Sequence, residues 1–151
     1  MPKYEVSDWV DIHLIQQATL TFARSIGFAR RECGELAIVA SELTSNILKY
    51  GVRGSIQLDL LCDERGSGIV IIAEDCGPPF RDLSAAMRDG HDDRGPIDPL
   101  SLLTRQGIGA GLGAVLRFTH TFDVQGHAAG KSVRVVRYVQ STTPGRRGSV
   151  A

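Results

Sequence analysis

The spacing of hydrophobic positions predicts a short strand and then two long helices in the first third of the chain. Tyr4 and Val6 alternate with polar residues, as in a strand with one buried face. Residues 11–26 and 30–50 instead repeat their hydrophobic side chains every three or four positions, which is the period of an amphipathic helix. A glycine follows each of these two segments and is a common helix end. We therefore expect a helix over each segment.

Two hairpins are predicted in the remainder of the chain. Residues 55–62 alternate between hydrophobic and polar, residues 69–73 form a continuous β-branched run, and the turn-rich stretch between them favours a hairpin. A second pair of strands is expected over 121–125 and 132–140. Strict alternation of strands and helices, which an all-parallel sheet requires, is missing. We predict an α/β fold, a two-layer sandwich with a mixed β-sheet and helices on one face.

The segment between the hairpins carries weaker patterns. Residues 82–89 suggest a short helix, and residues 90–107 form a long loop, which in a compact domain is usually either a functional lid or a disordered segment. A glycine run then leads into a helix that we expect to end near His120. Residues 141–151 are rich in small residues, proline and arginine and are expected to be disordered. The predicted organisation is a single domain over 1–140 with a short tail.

Composition narrows the class of protein. The chain has 151 residues with 17 Lys+Arg and 17 Asp+Glu, so its formal net charge is +0. A chain without net charge is not expected to bind nucleic acid or an anionic membrane through non-specific electrostatic attraction. No hydrophobic run approaches the roughly 18 residues of a membrane span, and no signal peptide is visible. The three cysteines lack C-x-x-C spacing. We therefore expect a cytoplasmic protein with reduced thiols.

Glu42 and Asn46 are the first candidate pair for chemistry. They are four positions apart, so they lie one above the other near the edge of the hydrophobic face of the second helix. A carboxylate and an amide oxygen placed there can polarise a water molecule and hold a hard cation. The same spacing also suits a partly exposed glutamate and a helix-surface asparagine, and the pattern alone leaves both interpretations open.

Asp75 and Gly77 follow a predicted buried strand. A carboxylate at a strand end can accept a hydrogen bond from an exocyclic amine, and a glycine beside it lets a flat ring approach the backbone. An ordinary Asp-x-Gly-Pro turn would give the same sequence.

A third candidate is the glycine run made of Gly107, Gly109, Gly111 and Gly113, with Leu112 inside it. Unobstructed backbone N–H groups at a helix start are suited to binding an anion. A flexible structural loop is the alternative. A dinucleotide fingerprint fits poorly because no clear strand precedes the glycines, and the Gly-Lys-Ser/Thr ending of a P-loop is absent.

Three segments in this order resemble the motifs of the GHKL nucleotide-binding superfamily, which includes gyrase, sensor histidine kinases and anti-sigma-factor kinases. Ser41 to Asn46 resembles its N box, Ile71 to Pro78 its first glycine box and Gly107 to Gly113 its second. The likeness covers residues 4–138. Within the superfamily the chain is most similar to RsbT-type serine/threonine switch kinases. The segment Met87 to Gly90 also resembles that branch. The resemblance implies the Bergerat ATP-binding fold.

The resemblance also implies ATP and Mg²⁺ as cofactors and a role for each candidate residue. Asn46 would coordinate Mg²⁺, and Glu42 would act as the base or as the water-orienting carboxylate for phosphoryl transfer. Asp75 would bind the adenine amine with Gly77 beneath the ring. The glycines from 107 to 113, together with Leu112, would wrap the phosphates as a lid.

Two positions near the implied adenine site differ from the residues that are usual in the family. Ser132 occupies the place of a threonine that lies near adenine in the family. Pro79 stands where the first glycine box normally has a glycine, and proline fixes φ and lacks an N–H. The segment 90–107 is also longer than the corresponding lid of RsbT-type kinases.

The implied function is a protein serine/threonine kinase of a bacterial partner-switching module that regulates a stress response or a sigma factor. Its expected substrate is a STAS-domain antagonist protein, with no nucleic acid or membrane partner. The alternative is a non-catalytic domain of the same fold. Such a domain would sequester a STAS protein, activate a phosphatase or bind a sigma factor as an anti-sigma factor.

Overall fold

The computed structural model describes residues 1–77, 91–92, 95–96 and 112–140. Its elements in chain order are β1 (Lys3–Val6), α1 (Asp11–Ile26), α2 (Arg30–Tyr50), β2 (Gly54–Asp63), β3 (Gly66–Asp75), β4 (His91–Asp92), β5 (Gly95–Pro96), α3 (Gly113–Arg117), β6 (Thr121–His127) and β7 (Gly130–Tyr138).

The two long helices begin and end where the sequence predicts. Before α1, the Asp11 carboxylate accepts the backbone N–H groups of Ser7 and Asp8, each at 3.0 Å. These hydrogen bonds, the one from Ser7 first, lower the pKa of Asp11. Gly27 ends α1 with a φ of 114°, a left-handed conformation that glycine adopts without strain. At the start of α2 the Glu32 carboxylate accepts the backbone N–H of Ala29 at 2.9 Å.

The sheet has five strands in the order β1-β2-β3-β7-β6, and α1 and α2 pack on one of its faces. The two predicted hairpins, β2–β3 and β6–β7, are confirmed. The predicted α/β two-layer architecture is confirmed as well. One detail differs, because every described pairing in this sheet is antiparallel and not mixed. Two helices, not one, connect β1 to β2, so the chain returns in the opposite direction.

The core lies between α2 and the sheet. Leu36, Leu43 and Ile47 of α2 face Ile56 and Ile71 of the two central strands, and all five belong to one buried cluster. Burying side chains of this size contributes roughly 1.5–3 kcal/mol each. This packing fixes the position of α2 over the end of β3.

Several predicted features lie outside the described residues. These are the short helix over 82–89, most of the loop over 90–107, the glycine run up to residue 111 and the tail over 141–151. Within the loop, the backbone of β4 pairs with that of β5. In the part of the chain that the structure describes, no helix combines the length and hydrophobicity of a membrane span.

Candidate functional site

α2 carries two polar side chains one turn apart at its packed face. Glu42 is only 1% exposed, which is unusual for a carboxylate. Asn46 is half-buried, and its Nδ2 atom is buried without a hydrogen-bond partner among the described residues. A buried amide left unpaired costs about 1–3 kcal/mol, so a ligand that contacts this amide would relieve the cost. Glu42 is therefore not a helix-surface residue, and Asn46 is open to a further contact.

A buried ion pair lies at the end of β3. The Asp75 Oδ1 atom accepts the backbone N–H of Gly77 at 2.8 Å and the Lys131 ammonium at 3.2 Å. The Lys131 Nζ atom is also 3.2 Å from Asp75 Oδ2. Lys131 and Asp75 are both buried. The carboxylate end of β3 is thus bound both by the turn that follows it and by β7.

Glycines let three backbone segments meet at Asp75. A Cβ on Gly51 would lie 2.7 Å from the Asp75 Cβ, and a Cβ on Gly77 would lie 2.6 Å from the Gly51 Cα. A Cβ on Gly130, whose φ is +151°, would collide with the Asp75 carbonyl oxygen. The ends of α2 and β3 and the start of β7 are therefore in direct backbone contact.

The turn from α2 to β2 is strained next to this contact. Val52 has a φ of 69°, a conformation that β-branched residues rarely adopt. The Arg53 N–H donates to the Gly51 carbonyl at 2.7 Å, which closes a tight three-residue turn. The Cys76 N–H donates to the carbonyls of Gly51 at 3.2 Å and Arg53 at 3.1 Å. Strain of this kind costs of order 1–3 kcal/mol and is typical of functional sites.

Ser132 does not lie beside Asp75. The register pairs Ser132 with Glu74, and adjacent residues of a strand face opposite sides of a sheet. Ser132 therefore lies on the face away from α2, where it borders a groove of about 310 Å³ with Ile72 and Arg134. The structure therefore does not bring Ser132 together with Asp75, and the role of Ser132 near the base stays a prediction.

Lys131, the residue before Ser132, is the one that sequence reasoning missed. It is paired directly with Asp75 across β3 and β7. The available signal was a lysine two positions before the alternating Val133 and Val135, which places it on the same, buried face if the alternation extends back to it.

Of the predicted phosphate-binding glycine run, the structure describes only its end. Leu112 and Gly113 are buried, and Leu112 and Val115 belong to the same core cluster as α2. The helix that begins here, α3, ends at Arg117, three residues before the predicted end. Gly107, Gly109 and Gly111 lie outside the described residues.

The Asn46 amide and the Asp75 carboxylate lie near the same end of the sheet. Asn46 is five residues before Gly51, so it lies about 7 Å along the helix axis from the backbone that touches Asp75. Among the described residues, no cluster of three His, Cys, Asp or Glu side chains could hold a metal ion. Mg²⁺ usually binds through one or two protein oxygens together with phosphates of a substrate. Asn46 could supply one such oxygen, Oδ1, if its amide turns, since the unpartnered Nδ2 atom is a donor and cannot bind a cation.

Comparisons with known proteins agree with this architecture. Residues 7–137 match the sequence model of the family described as "Histidine kinase-like ATPase domain". The "Serine/threonine-protein kinase RsbT" of Bacillus subtilis (strain 168) is 29% identical over 136 residues, which are 89% of this chain and 93% of that protein. A chain in the crystal structure of the SiaB-SiaC complex from Pseudomonas aeruginosa matches with a TM-score of 0.56 and 17% identity. The match covers 90% of this chain and 89% of that chain and shows a shared fold.

Proposed function

The chain belongs to the family of histidine kinase-like ATPase domains, and we propose that it is an ATP-dependent protein serine/threonine kinase of a bacterial partner-switching module. The proposed substrate is a serine or threonine hydroxyl of a STAS-domain antagonist protein in the cytoplasm. Its phosphorylation would control a stress response or a sigma factor. The likeness to a protein named as a serine/threonine-protein kinase extends over 89% of this chain and supports the proposal.

The observation that carries this proposal is the buried Glu42 carboxylate one turn of α2 away from the open Asn46 amide. Burial of Glu42 removes competing water from the carboxylate, and the packing of α2 fixes its position. The carboxylate can therefore accept the proton of an attacking hydroxyl. The hydroxyl oxygen bonds to the γ-phosphorus of ATP, the bond to the bridging oxygen breaks, and ADP leaves.

Asn46 is the residue that would hold Mg²⁺. Its amide can rotate so that Oδ1 faces the cation, because Nδ2 has no hydrogen bond to lose among the described residues. When bound, Mg²⁺ neutralises charge on the phosphates. Glu42 then need not serve as the metal ligand.

Asp75 and Gly77 are proposed to bind the base. The carboxylate accepts hydrogen bonds only, which suits the amine of adenine. The backbone of Gly77 carries no side chain over the floor of the site. We also propose that residues 107–113 contact the phosphates, on the strength of the glycine pattern alone.

Two observations favour a second candidate function. Both oxygens of Asp75 are already engaged by Lys131, and Pro79 replaces a glycine of the family motif. A domain with weakened nucleotide binding would retain the fold as a binding module. It would then sequester a STAS protein, activate a phosphatase or bind a sigma factor without transferring phosphate.

Incubation of the purified protein with Mg²⁺, labelled ATP and candidate STAS-domain proteins separates the two functions. The kinase should label a serine or threonine of one partner, and Glu42→Gln should reduce the rate by about 10²–10⁴-fold while ATP still binds in calorimetry. Glu35→Gln is the matched control and should leave the rate unchanged. It removes another carboxylate from α2, while Arg137 keeps its ion pair with Glu32. Stable capture of a STAS protein without ATP binding would instead support the binding module.

A further inference from the structure

The buried lysine opposite Asp75 has no role in the function proposed above. Lys131 is 2% exposed, and lysine is almost never buried this deeply unless it is paired. Its ammonium is 3.2 Å from each oxygen of Asp75, so it holds both ends of the carboxylate. The pair lies on the face of the sheet that carries α2, next to Gly77.

The contacts of Asp75 leave room for one more donor. A carboxylate has about four acceptor positions. Among the described residues, Oδ1 accepts hydrogen bonds from Gly77 and Lys131, while Oδ2 has the ion-pair contact with Lys131. Oδ2 can therefore still accept a further donor. The final torsion of an aspartate is broad and soft, so the direction in which Oδ2 accepts depends on what holds the two oxygens.

We propose that Lys131 is a positioning residue for base recognition. By holding both carboxylate oxygens it fixes the direction in which Oδ2 can accept the 6-amino group of a purine, and so makes the site selective for 6-aminopurine nucleotides. This inference rests on the proposed nucleotide-binding function. Lys131 acts on the base only through Asp75.

Calorimetry with two nucleotides tests the inference. ATP is compared with purine riboside triphosphate, which lacks only the 6-amino group, both with Mg²⁺. The wild type should prefer ATP by about 10- to 100-fold, the range expected for a hydrogen bond to a charged group. Lys131→Met should reduce the preference to below about threefold. Arg134→Met is the matched control, because it removes a positive charge from the opposite face of β7 and should leave the preference unchanged.

A double variant shows whether the two residues act as a unit. Asp75→Asn alone should lose the preference, and adding Lys131→Met should change it no further. If the role of Lys131 were purely structural, Lys131→Met would instead weaken the binding of both nucleotides equally and leave the ratio of their affinities unchanged. Circular dichroism and thermal unfolding identify variants that do not fold. If Lys131→Met does not fold, Lys131→Gln takes its place. This variant keeps a hydrogen-bond donor but not the charge, and it should likewise lose the preference for ATP.

The possible results are distinguishable. A folded Lys131 variant with the wild-type preference for ATP would overturn the role of Lys131 and leave the proposed kinase standing. A wild type that binds both nucleotides equally would do the same. A wild type that binds neither nucleotide would overturn the proposed nucleotide-binding function and this inference together.

Discussion

Gly77 and Gly51 are in backbone contact, so closely that a Cβ on Gly77 would lie 2.6 Å from the Cα of Gly51. This contact joins the turn after β3 to the end of α2. Since Asn46 lies on the last turns of α2 and Asp75 ends β3, the two glycines set the distance between the proposed metal-binding and base-binding residues.

Gly77→Ala should therefore destabilise the protein and impair the site. The added methyl group meets the backbone of Tyr50 and Gly51, which cannot rotate away as a side chain would. Overpacking of this kind costs typically about 1–3 kcal/mol. Urea unfolding measures the loss of stability, and ATP titration measures the loss of affinity.

Gly34→Ala is the matched control for that variant. A Cβ on Gly34 meets no other atom within 4 Å, and the residue lies inside α2. Alanine is favoured over glycine within a helix by roughly 0.5–1 kcal/mol, so this variant should be more stable than the wild type. Equal effects of the two substitutions would show that the Gly51–Gly77 contact is not tight.

A second prediction concerns the strained turn between α2 and β2. Val52 is 78% exposed, so replacing it loses little buried surface, while its φ of 69° disfavours a β-branched side chain. Val52→Gly should release strain of about 1–3 kcal/mol against an entropic cost of about 0.5–1 kcal/mol. The melting temperature should rise. An unchanged or lower melting temperature would mean that the turn relaxes to negative φ in solution.

Local patterns predicted the elements but not the contacts between them. Helices α1 and α2 follow from hydrophobic periodicity and a terminal glycine, and Asp75 follows from its place after a β-branched run. Lys131 is 56 positions away from Asp75, and their pairing depends on the register between β3 and β7. Ser132, the residue that the sequence pointed to, is one position further along β7, and one position reverses the face of a strand.

The turn at Val52 was not predictable for a different reason. A valine gives no local signal for positive φ, since its side chain disfavours that conformation. The surrounding contacts impose it, namely the hydrogen bonds of Cys76 to the carbonyls of Gly51 and Arg53. These contacts form only after β3 is in place beside the end of α2.

A third prediction concerns pH and His120. The His120 Nδ1 atom accepts the backbone N–H of Tyr138 at 3.1 Å, which requires that nitrogen to be unprotonated. Partial burial, and then the charges of Arg65 and Arg137, lower the pKa of His120 from its ordinary value of 6.5. The unfolded chain therefore takes up this proton at a higher pH than the native protein does. Stability should decrease as the pH falls below 6.5, until native His120 is protonated.

His120→Asn tests this dependence, because its amide oxygen can accept the same N–H without titrating. Urea midpoints measured from pH 7.5 to 5 should decline less steeply for this variant than for the wild type. His13→Asn, on the exposed side of α1, is the control and should keep the wild-type slope. Parallel curves for the wild type and His120→Asn would contradict the assignment.

The last prediction concerns the stability of the Asp75–Lys131 ion pair. Asp75→Asn leaves the buried Lys131 ammonium without its carboxylate, and breaking a buried pair from one side typically costs about 3–5 kcal/mol. The double substitution Asp75→Asn with Lys131→Met removes both charges of the pair and should recover most of that loss, since replacing both partners is often neutral. Urea unfolding of the wild type, both single variants and the double variant gives the coupling energy directly. A double variant as unstable as the sum of the two single ones would show that the residues do not interact. In that case the 3.2 Å contacts contribute nothing to holding β7 against the end of β3.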